Sequence, residues 1–251
     1  MEVHAHAHTP RKKWTHYFWE FLMLFLAVFC GFLAENQREH MIEHSREKVY
    51  MASMLNDIRA DTAMLNLMHQ TFANVTTHID SLIPLLKQDK ELEKNATRIY
   101  QHQVWLNLFA RWRYSDRTIS QLKNSGNFRL IRNKQTSNEI IEYDGYLRSY
   151  VDNMQSEYIL PIWRGMNEAS IEIFKSVVLR KKFNNTNWNE SPIELPPAPF
   201  FITTEKYTLE KFINRLEQYA LAIEWGNINI NNALGMAVKL DSLIKKEYHL
   251  K

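Results

Sequence analysis

The sequence predicts an all-α protein: one N-terminal transmembrane helix that continues into a long helix, followed by an antiparallel helical bundle. Three observations carry this expectation. An apolar run from Trp14 to Ala34, WTHYFWEFLMLFLAVFCGFLA, has no charged residue after Glu20. Glycine and proline are scarce, 6 and 7 in 251 residues, and Pro192, Pro196, Pro197 and Pro199 fall close together, so long stretches contain no helix breaker. Apolar residues also recur at spacings of three and four from Met51 to Leu86 and from Leu209 to Ile244. The expected divisions are a cytoplasmic tail (1–13), the transmembrane anchor (14–34), a helical stalk (35–50) and an extracytoplasmic helical bundle (51–251).

Composition removes some function classes. The formal net charge is +3, from 31 basic and 28 acidic residues. That excess is small, and no basic block with interleaved aromatics occurs, so nucleic acid is not an expected partner. The one cysteine, Cys30, lies in the apolar run, which rules out an intrachain disulfide.

In the tail, His4, His6 and His8 alternate with alanine. The pattern suits metal binding, but a short polar terminus of this kind reads first as a disordered tail. The anchor has about the ~20 residues that a bilayer needs. Trp14, Tyr17 and Trp19 form an interfacial belt, and Glu20 lies within that belt, too shallow for a proton relay. Signal cleavage wants small residues at −1 and −3. Cutting after Ala34 places Phe32 at −3, and cutting after Gly31 places Phe29 there, so the segment reads as retained. Phe29 beside Cys30 also argues against a lipoprotein signal. Ala27 and Gly31 make a weak small-xxx-small pair. The lipid bilayer, met through Trp14 to Ala34, is therefore the first expected partner. Arg11, Lys12 and Lys13 directly precede the anchor, while Arg38, Arg46 and Lys48 are more dispersed after it. This favours a cytoplasmic N-terminus and an outer C-terminal domain.

The stalk carries pairs at i,i+3 such as Glu35–Arg38 and Glu43–Arg46 on a helix polar nearly all round. His40-Met41-Ile42-Glu43-His44 matches the inverted zinc-protease motif H-x-x-E-H. Zinc hydrolysis needs a further protein ligand and a sheltered cavity, which a solvated stalk does not offer. The reading adopted is His40–Glu43 and His44–Glu47 pairing. From Met51 a heptad seam runs through Leu55, Ile58, Thr62, Leu65, His69, Phe72, Thr76, Ile79, Ile83 and Leu86. His69 reads as a hydrogen-bonded core or rim residue rather than a ligand.

Residues 87–95 read as a charged loop and 97–114 as a second helix, with Trp105, Leu108, Phe109 and Trp112 on one face as core rather than as an aromatic ligand box. Ser115 or Asp116 caps a short third helix. Gly126 is placed to end it in a left-handed cap, and Asn133 or Ser137 caps the next helix, which carries Ile140, Ile141, Tyr143, Leu147, Tyr150 and Met154. The run L-x-x-S-G-N-x-x-L-I-x-N-K, from Leu122 to Lys134 and followed by I-x-x-Y at Ile140 to Tyr143, resembles the signature of a family of bacterial single-pass inner-membrane proteins of unknown function. That resemblance implies an inner-membrane anchor, a long helix starting near the membrane and a helical outer domain. It supplies no activity and no site residues. The N-terminal WTHYFWEF departs from the commoner pattern of that family.

Further on, the periodicity continues from 146 to 182 through Val151, Met154, Tyr158, Ile162, Met166, Ile173 and Val177, with Pro161 expected to kink or split the helix. Residues 180–201 form one long loop. Its Pro196-Pro197-Ala198-Pro199 stretch is either a polyproline surface or a crossover stapled by Phe200 and Phe201. Thr208 is the expected cap of the last helix, whose stripe is Leu209, Phe212, Leu216, Tyr219, Ile223, Ile230, Leu234, Ala237, Leu240 and Ile244. Gly226 and Gly235 weaken that helix or admit a close neighbour.

No catalytic residue, no cofactor-binding residue, no metal ligand and no cofactor follow from the sequence. The expected function is non-enzymatic: a membrane-tethered structural or interaction protein of the bacterial envelope, with a protein partner or a second copy of itself. The alternative is a periplasmic sensory or ligand-binding bundle that signals through a separate membrane partner.

Overall fold

The computed structural model describes residues 13–250. The tail histidines His4, His6 and His8, the basic residues Arg11 and Lys12, and Lys251 lie outside the described residues. The chain is all-α, with no β-strand among the described residues beyond an isolated bridge between Phe174 and Phe201. It divides into two units, Met1–Val49 and Tyr50–Lys251.

The first unit carries the start of α1 (Trp14–Leu86). Its apolar segment is long and apolar enough to cross a membrane, and none of its most apolar stretch is buried against protein. Trp14, Phe21, Leu24 and Phe32 all stand open. Phe21, Phe25 and Phe29 stack one turn apart, with ring centroids at 6.3 and 5.9 Å, so the helix shows an aromatic ridge. His16 Nε2 pairs with Glu20 at 3.1 Å, and Arg38 Nε donates to Glu35 at 2.9 Å.

The second unit is built on three long helical rods. One is α1 from residue 50 onward. The next is the run 134–173, made of α4 (Lys134–Tyr146), two wide π turns (Leu147–Asp152 and Met154–Ile159) and α5 (Leu160–Ile173). The third is α7 (Lys206–Tyr248). Pairings along α7 fix its direction. Lys239 meets Glu139, Asn229 meets Tyr146, Gly226 lies against Ile159, and Phe212 against Phe174. The same helix places Ala237 and Val238 beside Ile58, Gly226 against Phe72, and Leu209 beside Leu86. Helix α7 is therefore antiparallel to both other rods. The first two rods run parallel, and the segment 87–133 crosses over between them.

The α1 seam is buried, but it is wider than the sequence reading had it. The column Met51, Ile58, Leu65, Phe72, Ile79, Leu86 is fully buried, and so is a second column, Met54, Asp61, Met68, Val75, Leu82. Thr62, His69 and Thr76 lie on the half-buried flank. A face this broad fits a helix packed against two neighbours rather than a two-stranded coiled coil. This corrects the narrower seam.

Three further expectations need correction. The second helix does not reach Tyr114. Helix α2 (Ala96–Gln103) tightens into a 3-10 turn (Val104–Asn107), and Leu108 is extended. There the backbone finds other partners: Gln155 accepts from the Trp112 N–H at 2.5 Å and donates to the Ala110 carbonyl at 2.7 Å, and Trp163 Nε1 donates to the Leu106 carbonyl at 2.9 Å. Second, α5 ends at Ile173. Phe174 and Lys175 are extended, and α6 (Ser176–Phe183) starts a new register. Val178 is buried in place of Val177, and Tyr158 faces outward, stacked on Trp225 at 5.8 Å. Third, Glu205 rather than Thr208 caps α7, accepting from the N–H groups of Tyr207 at 2.9 Å and Thr208 at 2.7 Å.

Other expectations agree with the structure. Gly126 has φ +69° just past α3 (Arg117–Asn124). Asn133 caps α4 by accepting from the Thr136 N–H at 3.0 Å. Pro161, expected to kink or split the helix, is the exception: it follows the two π turns and opens α5 while the backbone stays helical. Phe201 staples the crossover loop: it stacks on Tyr100 at 5.6 Å and meets Phe174, while Ile202 N–H donates to the Ile173 carbonyl at 2.8 Å.

Three glycines separate the physical effects at work. Gly126→Val meets no neighbour but is strained at positive φ, and is expected to cost about 1–2 kcal/mol. A Cβ at Gly226 would lie 2.8 Å from Ile159 Cδ1 and 3.1 Å from the Phe72 ring. Gly226→Val should therefore cost about 1–3 kcal/mol through overpacking. Gly235 has open space, and Gly235→Ala should gain up to about 1 kcal/mol of helix propensity. Denaturant melts of the three variants check the order Gly235→Ala above wild type above the other two.

Candidate functional site

The sequence motifs do not converge. His40 Nδ1 lies 3.8 Å from Glu43, and His44 Nδ1 lies 3.2 Å from Glu47. Each histidine of the H-x-x-E-H motif thus faces a carboxylate one turn on. Among the described residues no group of three or more His, Cys, Asp or Glu is placed to hold a metal ion. Trp105, Leu108, Phe109 and Trp112 do not share one helical face: Trp112 is buried, Phe109 packs on Trp163 at 5.2 Å, and Trp105 stacks on His78 at 4.6 Å. The proline loop is held to the bundle at Phe200, whose N–H donates to Glu93 at 3.1 Å and whose carbonyl accepts from Tyr100 Oη at 2.9 Å.

Two polar assemblies lie in the bundle unit. The larger is a buried carboxylate hub where α1, the segment 114–123 and α4 meet. Asp57 and Asp61 stand one turn apart on α1, both buried. Asp57 accepts from Thr118 N–H at 2.9 Å and from Arg117 at 3.0 Å, capping α3 from outside its own sequence. Asp61 accepts from Ser115 N–H at 2.8 Å and lies 3.3 Å from the Tyr143 hydroxyl. Asp144 on α4 accepts from Tyr114 at 2.8 Å, Lys123 at 2.6 Å and Arg148 at 3.0 Å. Arg148 also reaches Asp116 at 2.8 Å and lies 5.0 Å over the Tyr114 ring.

Two carboxylates of the hub, Asp61 and Asp144, differ in their affinity for a proton. Burial, with the Asp57 charge adding to it, pushes Asp61 up to about 6 against the hydrogen bonds from Ser115 and Tyr143. Burial acts on Asp144 in the same direction. The hydrogen bonds from Lys123 and Tyr114 and the Arg148 charge nevertheless hold it below the usual carboxylate range. Burial, then Asp144, raises Tyr114, and burial, then Asp61, raises Tyr143, so both phenols stay protonated donors.

The second assembly is a surface cleft of about 380 Å³ lined by His78 of α1, Gln101, His102 and Trp105 of the crossover, and Lys182, Glu190 and Ser191. His78 Nδ1 and His102 Nδ1 are 2.9 Å apart. Trp105 lies parallel to His78, and Trp188 stands edge-on to Trp105 at 5.3 Å. Lys182 Nζ donates to the Ser191 carbonyl and fixes the outer wall. Burial, reinforced by His102, lowers His78 to about 4, and burial, then Arg98, lowers His102.

Sequence reasoning reached neither assembly. For the hub a signal existed: Asp61 interrupts the otherwise apolar column Met54, Met68, Val75, Leu82, and Asp57 lies one turn before it. For the histidine pair there was none, because 24 residues and a loop separate the partners. With this geometry in place, no protein-family model matches the chain, and neither a curated protein nor a solved structure matches it.

The hub predicts an unusual pH response. A carboxyl whose folded pKa is raised binds its proton more readily in the folded state, so it favours folding increasingly as pH falls from above 6 toward 4. Asp144 and Asp116, both lowered, give the opposite response only at more acid pH. Asp61→Asn removes the first effect and keeps the shape. Melting curves of both proteins should show the wild type gaining on Asp61→Asn as pH drops from 7 to 4.5. A difference constant across that range would place the titration elsewhere.

Proposed function

We propose that this chain is a non-enzymatic, membrane-tethered interaction protein of the bacterial envelope. In this reading residues 14–34 span the inner membrane, the N-terminus is cytoplasmic and the unit Tyr50–Lys251 is periplasmic. The observation that carries it is the unburied apolar segment of α1. Among the described residues no protein covers this run, and lipid is the environment that satisfies both its apolar side chains and its internally bonded backbone. The basic cluster Arg11, Lys12, Lys13 before the segment supports the orientation. The separate core of the second unit supports a tethered domain, because tethering raises the effective concentration of that domain near a membrane partner.

One observation favours the sensory alternative. Helix α1, which includes the apolar segment, also contributes Asp61 to the hub and His78 to the cleft. A change in protonation or ligation in the bundle therefore acts on side chains of this same helix.

Paired reporters fused at the C-terminus, one active only outside the cytoplasm and one only inside, test the topology. Activity of the outside reporter alone is expected, and activity of the inside reporter alone overturns the orientation. In-cell crosslinking of the full-length chain, followed by mass measurement, tests the interaction role. A discrete adduct with a membrane protein or a second copy is expected. A chain that stays monomeric and uncrosslinked at native expression contradicts it.

A further inference from the structure

Two imidazoles from separate helices meet at the edge of the cleft. His78 comes from α1 and His102 from α2, and their Nδ1 atoms point at one another across 2.9 Å. In that contact one ring must carry the proton on Nδ1 and the other must present a lone pair there. The His78 ring is packed on an aromatic neighbour, and among the described residues the His102 ring meets only the ring of His78. His78 lies flat on Trp105, with ring centroids 4.6 Å apart and planes within 11°, and the two imidazole centroids are 5.2 Å apart. The contact opens onto the cleft of about 380 Å³, whose wall also includes Gln101, Lys182 and Glu190.

We propose that His78 and His102 are the protein ligands of a binding site for a divalent transition-metal ion of the zinc and copper class, completed by water from the cleft. Two imidazole nitrogens on a tetrahedral ion, each about 2.0–2.1 Å from it, lie about 3.3 Å apart. The pair needs to open by only a few tenths of an ångström, which side-chain rotation supplies. Imidazole selects this class of ion over magnesium or calcium. The chemistry is a tautomer shift. The ring that donates through Nδ1 moves that proton to Nε2 by way of cleft water, and both Nδ1 lone pairs then face the ion. No proton leaves the pair, no bond to carbon changes and no electron is transferred. Glu190 and Lys182 both line the cleft, so their charges offset, and the two imidazoles carry the selectivity. This site is independent of the membrane anchor and of the identity of any protein partner.

The test uses the full-length chain in detergent with His4, His6, His8, His40 and His44 all replaced by alanine, so that the tail and the stalk do not contribute metal ligands. Calorimetric titration with zinc chloride should show a bound equivalent that is absent in His78→Ala and in His102→Ala. His102→Asn guards against a folding defect, since it retains a hydrogen-bonding group beside His78 but no imidazole. It should keep the helical circular dichroism of the parent and lose the same equivalent. Cobalt(II) added in place of zinc should give an absorption band that these three variants lack. The proposal is overturned if the background chain binds no zinc, or if His102→Asn, folded like its parent, binds zinc as the parent does.

Discussion

Two carboxylates one helical turn apart, Asp57 and Asp61, tie the crossover segment to the first long helix. Each lies on the buried face of α1, and each accepts a backbone N–H from the segment 115–118. A buried carboxylate without partners costs several kcal/mol, and a helix N-terminus without partners leaves orphan donors. Joining the two removes both penalties at one place. Helix α3 is only eight residues long and has no side-chain cap of its own, so its start is set by Asp57. The Asp57 contact thereby fixes where on α1 the connection through Gly126, Phe128 and Leu130 to α4 begins.

The hub also explains why the first and second rods run parallel. A parallel pair needs a long connection to bring the chain back to the same end. Here that connection is pinned at intervals: by Tyr100 to Phe200 and Lys175, by Gln155 to the backbone around Ala110 and Trp112, and by Asp57 and Asp61 to residues 115–118. Each pin joins a side chain on a long helix or on the crossover to backbone in an irregular stretch. Backbone groups that forgo helical bonding must find such partners when they are buried. Helix α7 then closes the bundle, approaching the other two rods most closely at Gly226, where Phe72 and Ile159 leave no room for a side chain.

The polar groups in this bundle are arranged unevenly. Asp144 is surrounded by donors, whereas Asp61 has fewer and has Asp57 as a neighbour, which is why their affinities for a proton diverge. The phenol of Tyr219 sits in the core with no hydrogen-bond partner among the described residues. Its ring fills space between helices, and the hydroxyl adds only a desolvation cost. The histidine cleft lies at the margin of the core, where α1 meets the crossover, and Trp105, backed by Trp188, forms part of its wall.

What the sequence alone determined are the features written in local chemistry. The apolar run 14–34, the three-and-four spacing on α1 and α7, the positive φ of Gly126 and the Asn133 cap each depend on residues within a few positions of one another. Periodicity and turn stereochemistry report such features directly. What only the tertiary structure decided are the points where a distant side chain competes with local hydrogen bonding. Gln155 keeps residues 108–114 out of a helix that their own pattern favours. The break at Phe174, paired with Phe201, shifts the buried position from Val177 to Val178. The pairing of Asp57 with Thr118, of Asp61 with Tyr143 and of His78 with His102 joins residues far apart in the chain, and no spacing rule links such partners. The second buried column of α1 belongs to the same class: how wide a face a helix must bury depends on how many neighbours it has, and that number exists only once the chain has folded.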